Sequence, residues 1–92
     1  MRYEWDPEKD ALNRRKHGLS LEEGVPALDD PRSISWIDDR FDYGEERILT
    51  LGLNENRLLF VVSTERDETL TRIISVRKAE EDEIEQYDFA QP

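Results

Sequence analysis

Three arginines occupy positions that a β-sheet would bring together. Arg47 begins one strand-like run, Arg66 follows the end of the next run, and Arg72 lies near the start of the run after that. Because successive antiparallel strands reverse direction, we expect these positions to share one end of the sheet. Guanidinium groups donate paired hydrogen bonds to phosphate oxygens, so such a cluster could stabilise the negative charge that develops during RNA cleavage. This chemistry needs no metal ion.

Carboxylates are expected at the same end of the sheet, at Glu45, Glu46 and Glu65. Any of them could be the general base that accepts the proton of a ribose 2′-hydroxyl. Alternatively, all three could neutralise the arginines in surface ion pairs. From the residues alone, the ion-pair interpretation is favoured.

A second group of polar residues recurs at helical spacing near the N-terminus, namely Lys9, Asn13, Lys16 and His17. Residues three and four apart lie on one face of a helix, so we expect these side chains to be close together. His17 is the one histidine of the chain and its side chain type titrates near neutral pH, which makes it the candidate for proton transfer. The alternative is a solvated helix face, on which a C-terminal histidine is favoured by the helix dipole alone.

Composition limits the other possibilities. The 92 residues suffice for a single domain, residues 1–92, and the absence of cysteine excludes disulfides and thiolate sites. One histidine argues against a zinc site, and we expect no metal or cofactor. Four acidic residues in the first ten, with no long apolar run, argue against a signal peptide or a membrane span. We therefore expect a cytoplasmic protein with no membrane partner.

The net charge of -10 is unfavourable for a protein that binds phosphates. However, the acidic excess is confined to residues 20–46, which sum to -7, and residues 79–92, which sum to -6. Residues 1–19 sum to +1 and residues 47–78 to +2. The first helix and the main strands are therefore available to bind an anion, while the acidic blocks suit water or a basic partner chain.

Helix signals are concentrated before residue 30. Asp6-Pro7 is a typical helix start, and Gly18 is expected to end that helix. The segment from Ser20 to Glu23 has the capping-box pattern of a short second helix. We expect Gly24 and Pro26 to limit it to about two turns.

Strand patterns follow. Ser33 to Ile37 alternates with period two and predicts an edge strand, followed by an acidic loop from Asp38 to Glu45. Three further runs with short loops predict an antiparallel meander, and these are Arg47–Leu53, Arg57–Thr64 and Thr69–Val76. Arg77-Lys78 would lie just past the last strand, before a C-terminal helix over 80–87. The predicted fold class is α+β, with a small antiparallel sheet of about four strands on which N-terminal helices and a C-terminal helix pack.

Short motifs also follow one another in a fixed order along the chain. They are Glu4-Trp5-Asp6-Pro7 with Lys9 and Asn13, Lys16-His17-Gly18, Leu21-Glu22-Glu23, Asp30-Pro31, Glu45-Glu46-Arg47 with Gly52, Val61-Val62-Ser63-Thr64-Glu65-Arg66, and Arg72-Ile73-Ile74-Ser75-Val76-Arg77-Lys78-Ala79 with Tyr87. Each motif alone is weak, but the ordered set spans nearly the whole chain. It resembles the BrnT family of type II toxin-antitoxin ribonuclease toxins.

The resemblance implies a RelE-like toxin fold and a metal-independent ribonuclease activity that inhibits translation. It also implies a BrnA-type antitoxin with a ribbon-helix-helix DNA-binding part, a toxin-antitoxin hetero-oligomer, and contact with operator DNA only through that antitoxin. With the arguments above, it assigns catalytic roles to His17, Glu46, Arg47, Arg66 and Arg77. It assigns substrate binding to Lys9, Asn13, Lys16, Arg72 and Lys78.

Two features depart from the family pattern. The tail after Ala79 is acidic where a Thr or Ser cap and a more mixed helix are expected, and the whole chain is more anionic than a typical relative. They leave a second hypothesis open, in which a BrnT-like chain has lost cleavage and acts as a protein-binding module or as an acidic mimic of nucleic acid. An acidic surface would suit a basic antitoxin.

Overall fold

The structure, a computed structural model, describes residues 1–40, 42 and 44–92. Phe41 and Tyr43 of the predicted acidic loop lie outside the described residues. The elements in chain order are β1 (Arg2–Glu4), α1 (Pro7–His17), a 3₁₀ turn (Leu21–Glu23), α2 (Gly24–Asp29), β2 (Ile34–Asp38), β3 (Arg47–Asn54), β4 (Arg57–Asp67), β5 (Leu70–Lys78) and α3 (Glu81–Ala90). No helix within these ranges is long and apolar enough to cross a membrane.

The strands of the described chain form one sheet in the order β1-β5-β4-β3-β2. The strands β2 to β5 pair antiparallel, and β2 lies at an edge, so the predicted α+β class, meander and edge strand are confirmed. The predicted strand number is too low, because β1 adds a fifth strand that pairs parallel with β5. At three residues β1 is too short to show a periodic pattern. The placement of Arg77-Lys78 past the last strand is also wrong, because β5 continues through Lys78.

Each face of the sheet has its own apolar cluster. On the α2 face, Leu59 and Val61 of β4 pack with Leu21 of the 3₁₀ turn and Ala27 of α2. On the α3 face, Phe60 of β4 packs with β3 and with the helix. Because β4 contributes to both clusters, the strand whose sequence is apolar at every position is the one covered on both sides.

The second helical segment begins as predicted and continues past Gly24 and Pro26. The Ser20 backbone N–H donates to the Glu23 carboxylate at 2.8 Å, which confirms the capping box. Gly24 and Pro26 do not end the helical segment, since α2 runs from Gly24 to Asp29. Pro26 is tolerated because it lies in the first turn of α2, where its missing N–H would have no helical partner.

A glycine on β3 allows α2 to approach the sheet. A Cβ atom on Gly52 would lie 2.0 Å from the carbonyl oxygen of Ala27 and 2.7 Å from its carbonyl carbon. Both residues are buried, and a backbone carbonyl cannot rotate away as a flexible side chain could. The distance between α2 and β3 therefore depends on the absence of a side chain at Gly52.

The acidic helix α3 is attached by polar contacts. Glu83 accepts two hydrogen bonds from the Arg77 guanidinium, both at 2.8 Å, and one from the Glu80 backbone N–H. Burial tends to raise the pKa of Glu83, but these donors outweigh it, so the pKa lies below its ordinary value. One turn later, the Tyr87 hydroxyl donates to Asp30 at 2.7 Å, and burial together with that carboxylate raises the pKa of Tyr87 to about 12.

Replacement of Gly52 by alanine should lower the free energy of unfolding by about 3 kcal/mol, because either α2 or β3 must move to accommodate the methyl group. Urea denaturation measures this change. The comparison variant is Gly18→Ala, whose cost comes only from a left-handed backbone with open space around it and should be about 1 kcal/mol. Equal costs for the two variants would contradict the close approach at Gly52.

The Glu83→Gln variant should lose about 2 kcal/mol of stability near neutral pH. The reason is that the hydrogen bonds from Arg77 to a charged carboxylate are replaced by weaker ones to a neutral amide. The folded pKa of Glu83 is lowered, so its stabilising contribution is complete above its ordinary pKa near 4.5 and disappears as the pH falls through the folded value. The difference between wild type and variant should therefore shrink in acid. Glu85→Gln, on the exposed side of the same helix, is the control. A difference that does not change with pH would contradict the Arg77–Glu83 anchor.

Candidate active site

One side chain attaches α1 to the sheet. The Asn13 amide group donates to the carbonyls of Leu19 at 2.7 Å and Val76 at 2.9 Å, and its oxygen accepts from the Val76 N–H at 3.1 Å. Asn13 is 5% exposed. The Asn13 amide thus makes the hydrogen bonds that a neighbouring strand would make to β5, in the part of β5 that does not pair with β1. It satisfies backbone groups that would otherwise be buried against α1 without a partner.

The end of α1 is held by two further contacts. Gly18 has a φ of 71°, and its N–H donates to the Arg14 carbonyl, so the chain turns sharply and places Leu19 in the core. The Asp10 carboxylate accepts from the Leu21 N–H at 2.8 Å. Together these contacts fix the direction in which the opposite side of α1 presents its basic residues.

A groove of about 430 Å³ lies between α1 and the sheet, and we call it the basic groove. Its lining residues are Lys9, Leu12, Asn13, Lys16 and His17 of α1, Arg47 of β3, and Ile74 and Ser75 of β5. None of these described lining residues is acidic. Lys9 and Lys16 are exposed, whereas His17 and Arg47 are partly buried. The groove thus brings together five of the predicted site residues, including Arg47 from a separate part of the chain.

A β-bulge shapes the floor of the groove. Val62 pairs with Ser75 and Ser63 pairs with Ile73, so Ile74 has no partner on β4. A bulge places successive side chains on nearly the same side of a strand, and both Ile74 and Ser75 line the groove. Sequence reasoning missed these two residues, because regular alternation would place them on opposite faces.

A second depression, of about 410 Å³, is lined by Glu45, Glu46, Thr64, Glu65 and Arg66, and we call it the acidic depression. Glu45 connects it to the basic groove, since its carboxylate lies 3.9 Å from Arg47 Nε and 3.6 Å from an Arg66 Nη. The backbone of Glu46 is fixed by the Thr64 hydroxyl, which donates to its carbonyl at 2.7 Å, while its side chain is exposed. The expected ion pairs therefore form through Glu45.

The remaining predicted site residues line neither cavity. Arg72 pairs across the sheet with Thr64, but its guanidinium donates to Glu4 of β1. Arg77 lies over the Phe60 ring at 4.1 Å and binds Glu83, and this charged hydrogen bond raises its pKa. Lys78 is exposed at the end of β5. Thus, of the three arginines expected to meet, Arg47 and Arg66 share Glu45, whereas Arg72 has a different carboxylate.

The chemistry of the basic groove follows from its lining. Two ammonium groups and one guanidinium group attract an anion, and Arg47 can offer a phosphate the fork-shaped donor set that a lysine lacks. The imidazole of His17 has one ring nitrogen that can accept a proton and one that can donate, so it can act as a proton carrier. Among the described residues, no group of three His, Cys, Asp or Glu side chains is arranged to hold a metal ion.

Comparison with known proteins agrees with this architecture. A solved structure, that of the Brucella abortus ribonuclease toxin BrnT, is similar with a TM-score of 0.64 and 21% identity, covering 88% of this chain and 99% of that chain. At that identity the likeness shows the fold. No curated protein matches the chain. The family model described as the ribonuclease toxin BrnT of type II toxin-antitoxin systems matches residues 5–83. The chain therefore belongs to the BrnT family of ribonuclease toxins.

Proposed function

We propose that the basic groove binds RNA and cleaves it without a metal ion. The observation that supports this proposal most is the convergence of Lys9, Lys16, His17 and Arg47 in a groove whose described lining contains no acidic residue, on a chain whose net charge is -10. Because phosphate binding depends on local rather than net charge at short range, this groove can hold an anion that the rest of the surface repels.

In the proposed reaction, the ribose 2′-oxygen attacks the adjacent phosphorus and loses its proton to a general base. The 5′-oxygen of the next nucleotide leaves and takes up a proton, which produces a 2′,3′-cyclic phosphate and a 5′-hydroxyl. His17 is the proposed proton carrier in the groove, and Glu46 remains the candidate for the base. Arg47 stabilises the charge on the phosphorane, and Lys9 and Lys16 bind flanking phosphates.

The other predicted residues receive roles that fit their contacts. Arg66 is proposed to act with Arg47 through their shared neighbour Glu45. Asn13 acts by positioning α1, since all of its amide hydrogen bonds go to the backbone. Arg72 and Lys78 are proposed as outer contacts for a longer RNA. A catalytic role for Arg77 stays a prediction, and its contacts with Glu83 and Phe60 favour anchoring of α3 instead.

At the level of the cell, we propose that the chain acts in the cytoplasm, that RNA cleavage inhibits translation, and that a BrnA-type antitoxin neutralises it. Membership of a toxin-antitoxin family supports the existence of such a partner. A ribbon-helix-helix part of the antitoxin would supply operator binding. The acidic blocks outside the groove favour a basic partner, because complementary charge accelerates association and excludes wrong partners.

A second candidate function, a non-cleaving binding module, is favoured by one observation. Arg47, Arg66, Arg72 and Arg77 each have a carboxylate neighbour. Under this hypothesis the purified chain leaves both free and ribosome-bound RNA intact and still captures the protein encoded beside it.

The variants His17→Ala and Arg47→Ala should lower RNA cleavage by the purified chain about 100-fold or more, since each removes a group that acts in the transition state. Cleavage by wild type should persist in EDTA and give cyclic-phosphate 3′ ends. Arg57→Ala removes the same charge as Arg47→Ala, but from an exposed pair with Glu23 outside the groove, and should retain activity. Full activity in both groove variants, with circular dichroism unchanged, would contradict the site.

The neighbouring residues Glu45 and Glu46 allow a matched test of whether Glu46 is the general base. If Glu46 accepts the proton, Glu46→Gln should lower kcat about 100-fold with little change in KM. Glu45→Gln instead removes the carboxylate beside Arg47 and Arg66, so RNA should bind a few-fold more tightly at low salt. Single-turnover cleavage and filter binding separate the two effects. Unchanged kcat in Glu46→Gln would contradict the assignment of Glu46 as the base.

A further inference from the structure

The strand β2 leaves one edge of the sheet open. In the order β1-β5-β4-β3-β2, and within the described residues, it pairs with β3 alone, so alternate residues direct backbone N–H and C=O groups away from the sheet. Among the described residues, nothing outside β3 donates to or accepts from the backbone of residues 34–37. The run Ile34-Ser35-Trp36-Ile37 also has none of the lysines, prolines or glycine bulges that commonly protect an edge.

The opposite edge of the sheet is formed by β1, which has three residues, whereas β2 has five. The first part of β5 pairs with β1, and the later part is capped by the Asn13 amide of α1. Among the described strands, β2 is therefore the longer of the two edges. Since unpaired strand edges readily accept another strand, β2 is suited to pair with an extended segment of another chain.

The side chains of β2 add apolar contact area. Trp36 is 39% exposed and meets Phe60 edge to face, with ring centroids 6.2 Å apart. Ile37 is 54% exposed on the other face of the strand, because successive side chains alternate. An added strand could thus cover an aromatic group on one face and an aliphatic group on the other.

Charge on both sides of β2 identifies the kind of partner. From the last residue of β2 onward, residues 38–46 carry five carboxylates and one arginine in the sequence. The segment that precedes β2 is in contact with the acidic helix α3. There the Tyr87 hydroxyl donates to Asp30, and Gln91 donates to the Arg32 carbonyl. A second copy of this chain would bring like charges together at the edge, whereas a basic segment would be attracted.

We propose that β2 is the docking edge for a basic, extended segment of the antitoxin, which adds a sixth strand to the sheet. This inference rests on the proposed toxin-antitoxin function, because it names the surface that the partner uses. Main-chain hydrogen bonds to β2 supply affinity, and lysine or arginine side chains of the segment face the acidic loop and α3.

Hydrogen exchange tests the proposal on the full chain, alone and in complex with the protein encoded by the neighbouring reading frame. Amides of residues 33–38 that point outward should exchange at least about tenfold more slowly in the complex, because they gain backbone partners. Unchanged exchange in this segment, in a complex that forms, would overturn the docking edge. Failure of wild type to form any complex would instead count against the proposed antitoxin partner.

A charge variant provides an independent readout. Ile37→Lys places a cation on an exposed position of the edge and should weaken the complex about tenfold, because an inserted lysine opposes strand addition by a basic segment. Glu68→Gln changes the net charge by the same amount in the exposed β4–β5 turn and should leave affinity unchanged. RNA cleavage by both variants should match wild type. Equal affinity of both variants would overturn the proposal, as would protection of β2 in a homodimer of the chain alone.

Discussion

The arrangement of the candidate site depends on three hydrogen bonds made by the Asn13 amide. They satisfy the carbonyl and N–H of Val76 and the carbonyl of Leu19, so one buried side chain connects α1, the turn that follows it and β5. Leaving such groups unpaired in the interior costs on the order of 1–3 kcal/mol each, which strongly favours a single position of α1. The basic residues of α1 face Arg47 because this contact determines where the helix lies.

The partition of charge is the second constraint. The basic groove contains cations from residues 9–17 and from Arg47, all of which belong to the two segments with a positive sum. Several acidic residues have structural partners elsewhere. Asp30, for example, accepts hydrogen bonds from Leu53, Arg32 and Tyr87, and although burial tends to raise its pKa, these donors lower it. The net charge of the chain therefore does not describe the local charge of the basic groove.

Much of the fold could be predicted from the sequence because local residue patterns determine it. The meander has alternating residues and short loops, and the groove residues of α1 recur at helical spacing. The pairing of β1 with β5 could not be predicted, because Arg2–Glu4 is too short to show a period. The bulge at Ile74 and the backbone-binding role of Asn13 both depend on the tertiary position of β5, which no local pattern encodes. For the same reason, Arg77 was predicted beyond the strand rather than beneath α3.

The acidic C-terminal helix, which departs from the family pattern, has a physical explanation in its contacts. Arg77 lies over Phe60 beneath α3 and its side chain is 28% exposed, so its charge requires a partner there. Glu83 supplies that partner and also accepts from the Glu80 N–H, which caps the start of the helix. The acids of the first turn are further stabilised by the helix dipole. A carboxylate-rich start to α3 thus anchors and caps the helix, and none of its acids lines the basic groove. The acids of α3 therefore lie outside the groove proposed to bind RNA.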